Sequence, residues 1–310
     1  MAGGSTHWRL GFTLSLTTAA LWGLLPIALK VVLESMDAYT IVWWRFAVAM
    51  AGLGAFLAWR GELPRIRGAG GAAITLLAVA TLTLTGNFVL YLVALDHATP
   101  SVTQVVIQLA PLLLLVGGVL IFHERMAAAQ WAGFVILAAG LVLFFNDRLP
   151  ELLRPAEGLG LGVALTVAAA VSWAAYGLAQ KQLQRHFSAQ QVLFVIYSGA
   201  TVLLLPTATP SQIMGLDGLQ FGMFAFCCAN TLAAYGAFVE ALECWDVSRV
   251  SAVIATAPLF TIGAMWLVES MGLGLVAPEG LNALSVLGAL MVVAGSIACA
   301  YRRGRAPSYS

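Results

Sequence analysis

The sequence predicts an all-α integral membrane protein of ten transmembrane helices, built as two five-helix repeats of opposite topology. Three observations carry that fold class. Of 310 residues, 61% are hydrophobic and 9% charged, far short of the roughly one-quarter charged residues of a soluble globule. Ten apolar runs, each near the length of about 20 residues that spans a hydrocarbon core, fall at approximately 11–32, 38–59, 70–94, 99–121, 128–146, 158–180, 189–207, 219–242, 246–268 and 281–301. The third is an internal echo. Ala94, Leu95, Ser101, Pro111 and Leu112 recur as Ala241, Leu242, Ser248, Pro258 and Leu259, 147 residues later, with Tyr91 answered by Phe238.

The runs are long and unalternating, which favours helices over membrane strands of about ten alternating residues. Run 1 follows a single basic residue, Arg9, and carries no convincing cleavage site, so it reads as a retained first helix. Trp22 and Lys30 in run 1 share a spacing of eight with Trp173 and Lys181 in run 6. Run 2 holds Arg45 behind Trp43 and Trp44, and runs 3 and 4 form the first copy of the echoed hairpin. Gly133 and Gly140 in run 5 share a spacing of seven with Gly288 and Gly295 in run 10. Between runs 5 and 6 the polar, proline-containing segment Asn146 to Glu157 joins the halves, giving 1–147 as the first repeat, 148–157 as an external linker and 158–310 as the second repeat. Five is odd, so the copies enter the membrane from opposite sides, the inverted repeat of many secondary transporters.

With both termini on one side, that side holds eleven of the fifteen Lys and Arg residues. Excess positive charge in short loops stays cytoplasmic, so both termini are expected there, in a multi-pass protein of the inner membrane. A net charge of +1 with no long basic run argues against a nucleic-acid surface. The four cysteines form no CxxC pair and read as small packed residues. Enzyme motifs fail: His123-Glu124-Arg125 lacks the second histidine of HExxH, and no Walker motif is present. No metal or cofactor is expected; the bilayer and a small-molecule substrate are the expected partners, with the oligomeric state left open. GxxxG pairs at Gly158/Gly162 and Gly218/Gly222 suggest helix packing.

Trp44-Arg45-Phe46, the Ala-Pro-Leu of 110–112 and 257–259, and the acids Glu124 and Glu269 that follow resemble the drug/metabolite transporter superfamily in its ten-helix EamA-type branch. Within it the chain looks most like bacterial aromatic amino-acid exporters. The resemblance implies export of small organic solutes, aromatic amino acids foremost, by alternating access, with a broader drug or metabolite range as the alternative. It also implies a central cavity ringed by helices 3, 4, 8 and 9 with 1 and 6, and helices 5 and 10 to one side. A non-transporting scaffold or sensor is the reading from a different class.

Polar and aromatic residues inside the runs are the candidates for substrate contact, because buried polar groups cost free energy unless partnered. They are Trp22, Asn87, Tyr91, Gln104 and Gln108 in the first copy and Trp173, Tyr176, Asn230, Tyr235 and Ser251 in the second. Gln104 and Gln108 share a helix face and suit either a zwitterion or interhelical bonding. Trp173 and Tyr176 suit either aromatic stacking or plain packing. Pro26, Pro111 and Pro258 are expected as bends or hinges, since proline removes an internal hydrogen bond. Lys30 and Lys181 lie at opposite membrane faces, as gate or headgroup contacts. Arg45 has three readings: snorkelling to the surface, a structural contact, or an anchor for a substrate carboxylate. No buried carboxylate stands out as a proton carrier.

Overall fold

In the computed structural model, residues 3–64, 70–122, 127–147, 158–184, 186–245 and 247–300 are described; the 148–157 linker and Glu124 lie outside them. Among the described residues the secondary structure is helical: α1 (Gly3–Leu33), α2 (Ala38–Arg60), α3 (Gly71–His97), α4 (Pro100–Val106), α5 (Leu109–Phe122), α6 (Ala128–Phe144), α7 (Gly158–Leu183), α8 (Ala189–Leu204), a 3₁₀ turn (Pro210–Gly215), α9 (Gly218–Cys244), α10 (Val247–Ile254), α11 (Ala257–Ser270) and α12 (Ala283–Ala300). Six segments are long and apolar enough to cross a membrane: Trp8–Leu33, Ala38–Arg60, Gly71–His97, Gly158–Leu183, Gly218–Phe238 and Val250–Ser270. Pro100–Leu114, Ala128–Phe144, Ala189–Leu204 and Ala283–Cys299 are shorter apolar helical segments.

Local chemistry fixes the ends. Asp37 starts α2 by accepting from Thr40 N at 3.0 Å, and Gly61, at φ 69°, ends it with its N–H on Ala58 O. Capping boxes at Ser188/Gln191 and Asp217/Gln220 start α8 and α9. The predicted fourth and ninth runs are each divided in two, at Ile107–Gln108 and at Ala255–Thr256. The reason is proline: Pro111 and Pro258 lack an N–H, so each sits in the first turn of a new helix, where none is required. Pro26 remains inside a continuous α1.

The principal contacts join helices across the 148–157 segment: α1 with α9, α2 with α8, α3 with α7 and α6 with α12. Each pair is antiparallel, as shown for α6 and α12 by Gly133 opposite Gly295 and Gly140 opposite Gly288. There a Cβ on Gly133 would lie 2.8 Å from Gly295 O, and one on Gly140 2.8 Å from Gly288 O. The four glycines matched by spacing thus pack against one another, backbone to backbone. Gly162 likewise faces Ala94 and Ala98, but Gly158, Gly218 and Gly222 have nothing within 4 Å of an added Cβ, so the GxxxG expectation fails at those three positions.

One buried cluster centres on α1, α2, α3, α8 and α9, with Phe46, Leu84, Leu92 and Tyr197 among its fully enclosed side chains. A second joins α4 to α6 and α12 through Val102, Val105, Leu137, Phe144 and Val292. Large apolar side chains such as Leu82, Val142, Val202 and Trp266 are left exposed, as a lipid-facing surface requires.

Candidate functional site

The site grows from Pro26. Its missing N–H frees the carbonyl of the residue four before it, Trp22. In lipid such a carbonyl needs a partner from elsewhere in the protein, and Gln104 of α4 supplies one, its Nε2 donating to Trp22 O at 3.4 Å. The other end of the same amide is also used: Tyr91 of α3 donates from its hydroxyl to Gln104 Oε1 at 2.9 Å. On the next residue, Gly23 O accepts from Thr261 Oγ1 at 2.6 Å. Absence of a side chain at Gly23 lets α11 approach, since a Cβ there would lie 2.6 Å from Ala257 O. The Trp22 ring meets Tyr235 edge-on at 5.4 Å and Phe238 at 5.8 Å. Helices α1, α3, α4 and α9 therefore converge on a polar chain, Tyr91–Gln104–Trp22 O, laid beside three aromatic rings.

Two asparagines make matching contacts on either side. Asn87 Nδ2 donates to Ala169 O at 2.8 Å, joining α3 to α7. Asn230 Nδ2 donates to Leu21 O at 2.7 Å, joining α9 to α1. Among the described residues, however, the buried Oδ1 of Asn230 has no partner. Gln108 Nε2 reaches Ala255 O at 3.5 Å, linking the two helix breaks. Tyr176 is buried, Trp173 packs half-buried against the larger core, and Ser251 is half-buried. Pro26 and Pro258 are buried whereas Pro111 is exposed. Lys30 turns inward, its Nζ donating to Leu95 O at 2.6 Å and Asp96 O at 3.1 Å, the C-terminal carbonyls of α3. Lys181 is exposed in the last turn of α7.

A cavity of ≈ 60 Å³ lies between α2, α8 and α9, walled by Leu53, Gln190, Leu193, Tyr197, Thr231, Leu232, Tyr235 and Gly236. Tyr235 belongs both to this wall and to the ring cluster at Trp22.

A model of the EamA-like transporter family matches the chain twice, over residues 9–146 and 160–299. The chain belongs to the EamA-like transporter family. It is 43% identical to an "uncharacterized transporter" of Haemophilus influenzae over 93% of this chain and 94% of that one. It is 42% identical to the "uncharacterized inner membrane transporter YhbE" of Escherichia coli over 93% and 90%. A "probable amino-acid metabolite efflux pump" of E. coli is 24% identical over 91% and 92%. A solved structure with a TM-score of 0.63 and 20% identity, covering 93% of this chain and 94% of its own, shares the fold.

Two features of this EamA-type chain, one not nominated by sequence reasoning as a working part and one left with three readings, are settled in place by the fold. Glu279, in the loop that follows α11, is 7% exposed, and its Oε1 accepts from Ser101 N at 2.9 Å in the first turn of α4. It is a buried carboxylate after all, brought inward by the segment between α11 and α12. Arg45 is 3% exposed and does not snorkel: its guanidinium lies over the Phe88 ring at 4.8 Å, and its Nε donates to Thr231 Oγ1 at 3.1 Å. The signals were a lone acid before a glycine in a loop and a lone cation behind two tryptophans. Neither reveals its surroundings without the fold. Among the described residues no group of His, Cys, Asp or Glu could hold a metal ion. The junction brings together aromatic rings, amide and hydroxyl hydrogen bonds, and a buried amide oxygen without a partner among the described residues.

Proposed function

We propose that the chain exports small organic solutes, aromatic amino acids foremost, across the bacterial inner membrane by alternating access. In this reading residues 1–147 and 158–310 are inverted five-helix repeats that rock about a site where α1, α3, α4 and α9 meet. The double family match and the antiparallel pairing of helices from either side of the 148–157 segment support the repeats. The relatives named as an inner membrane transporter and as an amino-acid metabolite efflux pump support the location and the solute class. Lys and Arg asymmetry supports cytoplasmic termini.

The observation that carries the substrate reading is the junction itself: the Trp22, Tyr235 and Phe238 rings beside the Tyr91–Gln104 hydrogen bond, with Asn230 Oδ1 unpartnered. Rings of this kind stack an aromatic side chain, and the vacant amide oxygen accepts from an ammonium group. Purified protein in liposomes, loaded with labelled phenylalanine or tryptophan and given no nucleotide, tests the proposal. Saturable efflux that exceeds protein-free vesicles is expected. Equal fluxes with and without protein, for aromatic amino acids and for aromatic cations alike, contradict it.

A further inference from the structure

Residues 271–282, between α11 and α12, form no helix, and Gly272, Gly274 and Gly280 take φ values of 62°, 60° and 58°, a region that glycine reaches without strain. Such a segment lies on a surface, where an apolar side chain is the cheapest anchor. Here, of residues 271–282, all of them described, Glu279 alone is buried, although a carboxylate is among the costliest groups to take out of water. Its Oε1 accepts from Ser101 N at 2.9 Å, an N–H in the first turn of α4 that the helix itself cannot use. Three residues on, Asn282 fixes the segment to the scaffold: its Nδ2 donates to Asn146 Oδ1 at 3.1 Å, and its Oδ1 accepts from Ser285 N at 2.8 Å. The segment is a strap from α11 to the α6–α12 seam that holds the start of α4 on its way.

What it holds is the lip between α3 and α4. Lys30 of α1 takes the other side of the same break, donating to Leu95 O at 2.6 Å and Asp96 O at 3.1 Å. Ala98 seats on Gly162 of α7, its Cβ 2.7 Å from where a Cβ on that glycine would lie. Helices α1 and α7 and the strap thus close on residues 95–101, at the outer face in the proposed topology. Three residues beyond Ser101, on the same short helix, Gln104 joins the Tyr91–Gln104–Trp22 O chain. A tie on the first turn of α4 therefore sets where Gln104 stands.

The opposite mouth is its counterpart. Gly11 precedes Gly162 by 151 residues, the offset of Trp22 from Trp173, and Ala98 precedes Trp245 by 147, the offset of the echoed hairpin. Correspondingly, Trp245, between α9 and α10, rests its ring on Gly11, 2.6 Å from where a Cβ would lie, with Trp8 and Phe12 beside it at 5.6 and 6.0 Å. Among the described residues the buried indole nitrogen of Trp245 has no hydrogen-bond partner. One mouth is fastened by hydrogen bonds to a carboxylate and an ammonium group, the other by a packed ring.

We propose that Glu279 is the latch of the outer mouth: its carboxylate holds α4 closed, and its release frees α4 and Gln104 to open outward. Releasing it shifts the population toward the outward-open state at the expense of the inward-open one. The inference rests on the alternating-access reading for that reciprocity, though not for the latch itself.

The test uses the full chain purified in detergent and a charged methanethiosulfonate, with one buried serine at each mouth exchanged for cysteine. Ser101→Cys reports the outer mouth and Ser15→Cys, one helical turn from Gly11, the inner; both serines are 0% exposed. Rates are taken in excess of the parent chain. Glu279→Ala is expected to raise labelling of the outer reporter about tenfold, the worth of a hydrogen bond to a charged group, and to slow labelling of the inner one. Glu279→Gln keeps the size of the side chain, so it secures the test should Glu279→Ala fold poorly, and it moves both rates in the same two directions. Unchanged labelling of the outer reporter overturns the latch. So does faster outer labelling with the inner rate unaltered or raised, which makes Glu279 a local fastening only. In liposomes, phenylalanine efflux without the reciprocal labelling overturns the latch and leaves the export reading intact. Reciprocal labelling without any phenylalanine flux supports the latch and overturns the export of phenylalanine.

Discussion

The seam between α6 and α12 and the junction of α1, α3, α4 and α9 both rest on helices brought close together, but they use the closeness differently. At the seam, Gly133, Gly140, Gly288 and Gly295 put backbone against backbone with the same spacing on both helices. At the junction the two sides begin alike, with Asn87 on Ala169 O and Asn230 on Leu21 O, then part company. The first side continues into a saturated chain, Tyr91 to Gln104 to Trp22 O. The second side offers Phe238 and Ser251 at the corresponding positions, adds Tyr235, and leaves Asn230 Oδ1 without a partner. In the proposed reading, the symmetric contacts are scaffold and the departure from them is where a solute binds.

The largest effect that can break this comparison is expected at the seam. Gly140→Leu forces a side chain into the Val292 and Gly288 backbone and costs upwards of about 3 kcal/mol, seen as loss of monodisperse protein on size-exclusion chromatography. Normal yield and stability would mean that the seam opens freely. Next come the asparagines. Asn87→Leu removes a donor whose partner helix stays packed, and is expected to lower stability by about 1 kcal/mol. Asn230→Leu is expected to cost less, because it also deletes a buried acceptor that has no partner, yet to cut phenylalanine flux per folded molecule more. Thermal unfolding and liposome flux on the same preparations separate the two effects, and equal losses in both variants would erase the distinction drawn above.

A smaller effect is expected of Tyr91→Phe, which leaves Gln104 Oε1 without its donor at about 0.6–1.5 kcal/mol. The smallest is Gly222→Ala. Nothing lies within 4 Å of its added Cβ, so this change within α9 is expected to raise stability by up to about 1 kcal/mol through helix propensity, with flux unaltered. Destabilisation there would reveal a packing partner.

Much of the scaffold was legible from residues alone, because apolar run length is a strong signal in a chain that must hide its backbone from lipid. The equal glycine spacings were also legible, but only as a resemblance between two helices. A one-dimensional repeat gives the face of a helix and not what packs on it, so the mutual contact of the four glycines needed the fold. Pro111 and Pro258 announced bends, and the exact form, two short helices on either side of a two-residue break, followed once turn geometry was seen. The site was less legible. Lys30 was expected as a gate or headgroup contact, and the structure turns its ammonium onto the last carbonyls of α3. Arg45 kept three readings until its burial removed one of them. Glu279 was invisible as a buried acid because sequence does not say where a loop folds back.

The central claim is that the asymmetric junction, and not the symmetric scaffold, is where solute is handled. Counterflow of labelled phenylalanine in liposomes bearing either the wild type or Trp22→Leu, normalised to folded protein and paired with thermal unfolding, tests it most directly. Flux at least tenfold lower in Trp22→Leu, with an unfolding midpoint close to that of the wild type, is the predicted result. Unchanged flux per folded molecule would contradict the claim and return Trp22, Tyr235 and Phe238 to ordinary packing.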